Sequence, residues 1–235
     1  MKKNILNFII GVLIAILIFM INKNYISIFN RNFLIQDKRI VIIDAGHGGI
    51  DGGAVSKSGT SEKDINLSIS KMLKGYLESS GYTCIMIRET DEGLYEKGEG
   101  IRYQKNDDLK KRKDMIKAEG EGIFVSIHLN SFPQSQYYGA QVFYHHNSEE
   151  SKKLAKCVQD SLINLVDKSN IREEKSSDSY YLLRDNKIPS IIVECGFLSN
   201  QREAELLKDE EYQNKIAFAI FAGIERYYNE NKLID

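Results

Sequence analysis

Residues 39–49 read Arg-Ile-Val-Ile-Ile-Asp-Ala-Gly-His-Gly-Gly, a short β-branched run that stops in a glycine-rich loop. An uninterrupted apolar run bounded by glycines is typical of a strand that is buried on both faces. Such strands belong mainly to parallel sheets whose two faces are covered by helices. The segment therefore predicts the first strand of an α/β domain, with His47 in the loop at its carboxyl end.

The rest of the chain alternates between apolar runs and helical patterns. We expect strands at 83–88, 123–129, 141–144, 180–183 and 190–194, helices at 62–80, 107–119, 148–166 and 203–228, and a long loop at 89–106. Alternating strands and helices predict a three-layer α/β sandwich, in which helices flank a mostly parallel central sheet. We expect a single catalytic domain over residues 39–230.

The N-terminus carries an uncharged apolar run at residues 5–21, preceded by Lys2 and Lys3. Such a helix would span roughly 25 Å, the short end of what crosses a bilayer. A cleaved signal peptide is the alternative, but no small-x-small cleavage pattern follows the run, which favours an uncleaved anchor. We expect residues 1–22 to be a membrane anchor or signal segment with a cytoplasmic N-terminus, and residues 23–38 to be a stalk.

Charge and cysteine content exclude two classes of protein. The 32 basic and 33 acidic residues give a net charge of −1, without the basic surplus that a nucleic-acid binder would show. The cysteines, Cys84, Cys157 and Cys195, are few, odd in number and widely spaced. They predict buried free thiols rather than a disulfide framework or a thiolate zinc site.

Candidate site residues lie where predicted strands end. His47 follows the first strand, His128 lies near the end of the strand at 123–129, and Glu194 ends the last apolar run. Glu62 begins the first helix, beside the same edge of the sheet, which is where ligands of such sheets bind. Either histidine alone is as easily explained as a hydrogen-bonded structural residue. Together with the glutamates they indicate a zinc hydrolase site, which needs three protein ligands and an open position for water.

Glu194 has three interpretations from its position alone: a fourth metal ligand, a salt-bridge partner or a general base. Because it ends a nearly continuous apolar strand, burial would raise its pKa toward the range useful for proton transfer, which favours the base. Asp44 and Asp51 flank His47, and either carboxylate could orient its second ring nitrogen. His145 and His146 precede polar residues and predict a surface turn.

Four segments in this order resemble the zinc-dependent N-acetylmuramoyl-L-alanine amidases of the third amidase family. They are Asp-Ala-Gly-His-Gly-Gly-Ile-Asp-Gly-Gly-Ala (44–54), Glu-Lys-Asp-Ile-Asn-Leu (62–67), Ser-Ile-His-Leu-Asn-Ser (126–131) and Val-Glu-Cys-Gly-Phe-Leu-Ser-Asn (193–200). The resemblance implies that His47, Glu62 and His128 are the Zn²⁺ ligands and that Glu194 is the catalytic glutamate. It also implies a substrate, the peptidoglycan glycan strand with its stem peptides, cut between N-acetylmuramic acid and L-alanine.

Further positions also match the family. Arg88 and Arg112 match its intermediate arginines; they could contact stem-peptide carboxylates, although a helix-face role fits Arg112 equally well. Asn130 and Ser131 could contact substrate.

Residues 139–144 and 181–183 resemble the germination-specific members found in endospore formers. That resemblance implies a role in forming the muramic-δ-lactam of spore cortex, outside the cytoplasm, in the intermembrane space or cortex of the forespore. An activating protein partner is conceivable.

Two other functions remain open at this stage: a cell-wall zinc hydrolase that cuts a different bond, such as a peptidase or deacetylase, and a catalytically silent wall-binding protein. The complete set of four site residues speaks against the silent protein.

Overall fold

The computed structural model describes residues 39–96, 98 and 100–231. Residues from Ile40 onward form one compact unit. The predicted anchor at 1–22 and stalk at 23–38 lie outside the described residues. Within the described part of the chain, no helix is both long and apolar enough to cross a membrane.

Strands and helices alternate along most of the chain. They are β1 (Ile40–Ala45), α1 (Glu62–Ser79), β2 (Thr83–Met86), α2 (Ile101–Glu119), β3 (Ile123–Asn130), β4 (Gln141–Tyr144), α3 (Glu149–Leu165), β5 (Lys175–Ser176), a 3₁₀ helix (Tyr181–Leu183), β6 (Ser190–Phe197), α4 (Gln201–Lys208) and α5 (Glu210–Asn231).

The strands form one six-stranded sheet in the order β2-β1-β3-β6-β4-β5. The first four strands in that order are parallel, whereas β4 runs antiparallel to β6 and parallel to β5. Helices α1, α3, α4 and α5 cover one face of the sheet, and α2 with the 3₁₀ helix covers the other. The predicted three-layer sandwich with a mostly parallel sheet is therefore confirmed.

The central strands are buried on both faces, as their continuous apolar sequences predict. In β1, Val41 and Ile43 pack into the core beneath α1, α3 and α5, whereas Ile40 and Ile42 pack toward α2. Side chains of a strand alternate between its two faces, so each central strand contributes to both cores. The burial of these side chains fixes the register in which the strands pair, and that register places the strand ends side by side.

Four local expectations were wrong in whole or in part. Helix α2 begins at Ile101, so the loop before it is shorter than predicted, and residues 181–183 form a 3₁₀ helix instead of a strand. The closing helix is divided because Asp209 has an extended backbone, with ψ of 121°, between α4 and α5. The three cysteines are free thiols as predicted, but Cys84 is only partly buried.

Candidate active site

The loop after β1 brings His47 over the carboxyl edge of the sheet. His47 has a φ of 65°, a left-handed conformation that is uncommon for residues other than glycine. The preceding Gly46 packs directly against His128, and a Cβ atom at position 46 would lie 2.3 Å from the His128 ring. The glycine therefore allows the loop and the second imidazole to approach each other.

Glu62 lies between the two histidines. Its Oε1 is 3.2 Å from Nε2 of His47 and 3.1 Å from Nδ1 of His128. Backbone amides fix the carboxylate on both sides, since Leu129 donates to Oε1 at 3.0 Å and Ala54 to Oε2 at 2.8 Å. The ligand atoms of His47, Glu62 and His128 all lie within 4.8 Å of one another, so the structure brings the three predicted ligands together.

The electrostatics of this cluster favour a positive charge at its centre. Burial acts to lower the pKa of His47, but hydrogen bonds with Asp51 and Glu62 outweigh it and raise that pKa to about 9. Burial acts to raise the pKa of Glu62, yet its hydrogen bonds with His128 and His47 hold that pKa well below its usual range. Two imidazoles and an ionised carboxylate are the donor set of many catalytic zinc sites, so these residues fit a divalent zinc ion.

Asp51, rather than Asp44, orients the first histidine. Oδ2 of Asp51 lies 2.8 Å from Nδ1 of His47, which leaves Nε2 for the cluster. Carboxylates in this position fix the orientation and basicity of metal-binding imidazoles. Asp44 is fully buried beneath the loop, where it accepts a hydrogen bond from Ser126 at 2.7 Å and pairs with Arg112.

Two buried arginines hold the carbonyl groups of the loop. Arg112 is only 1% exposed and donates to the carbonyl oxygens of Ala45 at 3.0 Å and His47 at 2.6 Å. Arg88 donates to the carbonyl oxygens of Ala45 at 2.8 Å and Gly46 at 3.0 Å. Arg112 also bonds to the carboxylates of Asp44 and Asp108. Arg88 also donates to the carbonyl oxygens of Lys63 and Thr90. Together these bonds occupy the two guanidinium groups. These bonds speak against contact of either arginine with stem-peptide carboxylates, and the burial of Arg112 contradicts the alternative of an exposed position on the helix face.

Glu194 lies beside the cluster, directly across from His128 in the pairing of β6 with β3. It is only 7% exposed, and burial raises its pKa. The Tyr180 hydroxyl donates to Oε1 of Glu194 at 3.1 Å, whereas Oε2 has no hydrogen-bond partner among the described residues. Sequence reasoning missed Tyr180, since a single tyrosine in a segment predicted as a strand carries no signal.

A second group, His145, His146 and Asp178, could also hold a metal ion by its spacing. It follows β4, which runs antiparallel to β6, and it therefore lies at the opposite edge of the sheet from Glu194. His146 and Asp178 are exposed, in keeping with the predicted surface turn.

Ser131 is exposed just beyond β3, where Asn130 pairs with Phe197. Their expected contact with substrate stays a prediction.

Comparison with known proteins agrees with this geometry. The family model described as N-acetylmuramoyl-L-alanine amidase matches residues 41–226. The germination-specific N-acetylmuramoyl-L-alanine amidase of Bacillus subtilis is 35% identical over 233 residues, which cover 98% of each protein.

Solved structures are similar as well. The CwlD amidase of Clostridioides difficile, solved in complex with the GerS lipoprotein, has a TM-score of 0.80 and 52% identity over 81% of this chain and 98% of that one. An N-acetylmuramoyl-L-alanine amidase from Clostridium difficile 630 has a TM-score of 0.72 and 29% identity over 83% of this chain and 98% of that one. Sequence motifs, fold and relatives converge, and the chain belongs to the N-acetylmuramoyl-L-alanine amidase family, enzymes that act on peptidoglycan.

Proposed function

We propose that the protein is a zinc-dependent amidase that frees stem peptides from the glycan strands of peptidoglycan, with His47, Glu62 and His128 as the metal ligands and Glu194 as the general base. The observation that carries the proposal is the buried carboxylate of Glu194, one oxygen of which has no partner in the described part of the chain, beside a cluster of two imidazoles and one carboxylate. A zinc hydrolase that uses a general base needs this combination of a metal position and an adjacent proton acceptor.

Each residue has a separate task in the proposed reaction. Zinc, when bound, polarises the amide carbonyl and makes a water molecule more acidic. Glu194 accepts the proton of the attacking water on its unpaired Oε2 and returns it to the departing nitrogen of L-alanine. The raised pKa of Glu194 suits both steps, because a group that must accept and then release a proton works best with a pKa near the working pH. Asp51 keeps the imidazole of His47 oriented throughout.

The protein would work outside the cytoplasm, where peptidoglycan lies. Its similarity to a germination-specific amidase supports a role in spore cortex, including formation of the muramic-δ-lactam in the forespore. The apolar run at residues 5–21 supports attachment to the membrane through the segment 1–22. The solved complex of CwlD with the GerS lipoprotein supports a protein partner.

The test is the variant Glu194→Gln, which keeps the shape of the side chain but cannot accept a proton as a base. We expect it to bind one zinc ion per chain and to release no stem peptide from purified peptidoglycan, as followed by mass spectrometry of the products. Glu121→Gln, at the exposed turn before β3, is the matched control and should be fully active. His128→Ala should lose the zinc.

Wild-type activity in Glu194→Gln would remove the proposed base, and full zinc content in His128→Ala would remove the proposed ligand set. Products cut within the stem peptide, or with an acetyl group removed and the peptide still attached, would identify a peptidase or a deacetylase instead.

A further inference from the structure

The two oxygens of the Glu194 carboxylate have different surroundings. Oε1 accepts the hydrogen bond from the Tyr180 hydroxyl at 3.1 Å, and Oε2 is buried without a hydrogen-bond partner among the described residues. An unpaired buried oxygen costs free energy, so such atoms are rare and call for an explanation. One oxygen is therefore held in place, whereas the hydrogen-bonding capacity of the other is unused among the described residues.

We propose that Tyr180 is a positioning residue for amide hydrolysis, whose hydroxyl holds Oε1 of Glu194 so that Oε2 is the oxygen that exchanges the proton with the attacking water. This inference rests on the proposed function of Glu194. It adds two details to that function: Oε2 is the atom that carries the proton, and Tyr180 is the side chain that determines which oxygen does so. The Tyr180 proton stays on its hydroxyl throughout.

The hydroxyl of Tyr180 is supported from several sides. The ring packs against Phe143, with 5.1 Å between the ring centroids. The carbonyl oxygen of Tyr180 accepts from the amide of Leu183 at 3.1 Å, which ties the residue to the 3₁₀ helix that follows. That helix is fastened to α2, because Lys113 donates to the carbonyl oxygen of Leu182 at 3.2 Å and also to that of Arg184.

Lys113 indicates that the position of Tyr180 is built into the fold. This lysine is 4% exposed and donates to backbone carbonyls and to the side chain of Asn186, and the neighbouring carboxylate of Asp185 attracts its charge. Lysine is rarely buried because removing its charge from water costs free energy, and here the acceptors of the segment 182–186 offset that cost. What the lysine holds is the turn that carries Tyr180 toward Glu194.

Tyr180 and the cluster reach Glu194 from different segments of the chain. His128 lies across the β3–β6 pairing from Glu194, and Glu62, at the start of α1, contacts His47 within the cluster. Tyr180 instead arrives from the chain between β5 and the 3₁₀ helix. A carboxylate held by one oxygen cannot rotate freely, so its second oxygen has a fixed position, and orientation of a reacting group is a large part of catalysis.

The experiment compares Tyr180→Phe with Tyr181→Phe in the full chain. Tyr180→Phe removes one oxygen and keeps the ring against Phe143. Tyr181 is the adjacent tyrosine, 44% exposed, and its variant is the matched control. Both are measured for kcat and KM on peptidoglycan fragments, for zinc content and for the midpoint of thermal unfolding.

For Tyr180→Phe we expect kcat to fall about tenfold or more, the usual effect of losing a hydrogen bond to a charged group. KM and zinc content should equal those of the wild type, because the hydroxyl bonds to Glu194 and not to His47, Glu62 or His128. Tyr181→Phe should match the wild type in all measurements.

An unchanged kcat in Tyr180→Phe would overturn the inference. So would a variant whose KM rises or whose zinc is lost, since the hydroxyl would then support the whole site and not one oxygen of Glu194. The variant Glu194→Gln separates the two proposals. If it is inactive while Tyr180→Phe is fully active, only the role of Tyr180 fails; if it is active, the base itself fails.

Discussion

Replacing Arg112 by methionine should destabilise the domain strongly. Its guanidinium group holds the carboxylate of Asp44, which is fully buried, together with the carbonyl oxygens of Ala45 and His47. Methionine fills much of the same volume but donates no hydrogen bond. After the substitution, Asp44 would keep the hydroxyl of Ser126 and lose its cation.

The size of the effect follows from the burial of the pair. Removing one partner of a buried ion pair costs about 3–5 kcal/mol, because the remaining charge is left without compensation. This is a large part of the roughly 5–15 kcal/mol by which a domain of this size is stable. With an unfolding slope of about 2 kcal/mol per molar urea, the midpoint should fall by about 2 M.

The pH dependence identifies Asp44 as the cause. In the wild type, burial acts to raise the pKa of Asp44, but the charge of Arg112 holds that pKa below its usual range. The carboxylate therefore contributes stability above about pH 4 and loses it as the pH falls through the lowered pKa. Without the guanidinium, burial dominates and raises the pKa, so the folded variant takes up a proton as the pH falls. The difference in stability should therefore shrink between pH 7 and pH 5.

The assay is urea unfolding of zinc-free protein at both pH values, so that metal binding does not enter the comparison. Arg102→Met, on the exposed side of α2, is the control and should unfold like the wild type. A loss below about 1 kcal/mol for Arg112→Met, or a loss that is equal at the two pH values, would refute the account of the buried pair.

Two further substitutions test the loop and its histidine. Gly46→Ala should abolish zinc binding, because its Cβ would lie 2.3 Å from the His128 ring. The control Gly75→Ala, at an open position within α1, should keep the zinc and add about 1 kcal/mol of stability. Equal zinc contents in the two variants would contradict the steric argument. Asp51→Asn should lower zinc affinity about 10–100-fold in a competition assay with a chelator, since it removes the carboxylate 2.8 Å from His47; unchanged affinity would show that this contact does not support the imidazole.

The part of the fold that depends on central strands could be predicted from the sequence. Residues 40–45 and 190–197 are nearly uninterrupted apolar runs, and the structure buries every residue of both strands. The rule that ligands bind at the carboxyl ends of parallel strands then placed His47 and Glu194 at one edge, and they lie there. Their roles in binding and catalysis stay predictions.

The sequence did not reveal where α2 begins or which contacts Arg112 and Tyr180 make. Helix α2 begins at Ile101 within a polar, glycine-rich stretch. Apolar residues there show no helical spacing, and the N-cap is Gly100 instead of a polar residue, so neither signal indicates the start of the helix. Arg112 has the charge of a surface helix residue, and only its contact with Asp44, far away in the chain, explains its burial. Likewise, the role proposed for Tyr180 depends on its hydrogen bond with Glu194, which the sequence does not show.

The surroundings of two glutamates explain why one is proposed as a ligand and the other as a base. Glu62 accepts hydrogen bonds from two backbone amides and lies 3.2 Å and 3.1 Å from ring nitrogens of His47 and His128, and these contacts stabilise its charged form against the cost of burial. Glu194 is buried to a similar extent but receives one hydrogen bond, so burial prevails and its pKa rises. A metal ligand must stay ionised, whereas a group that passes a proton on must be able to hold it. Environments that separate the pKa values of two neighbouring carboxyl groups assign different tasks to them, and here the separation arises from the number of donors that the fold aims at each one.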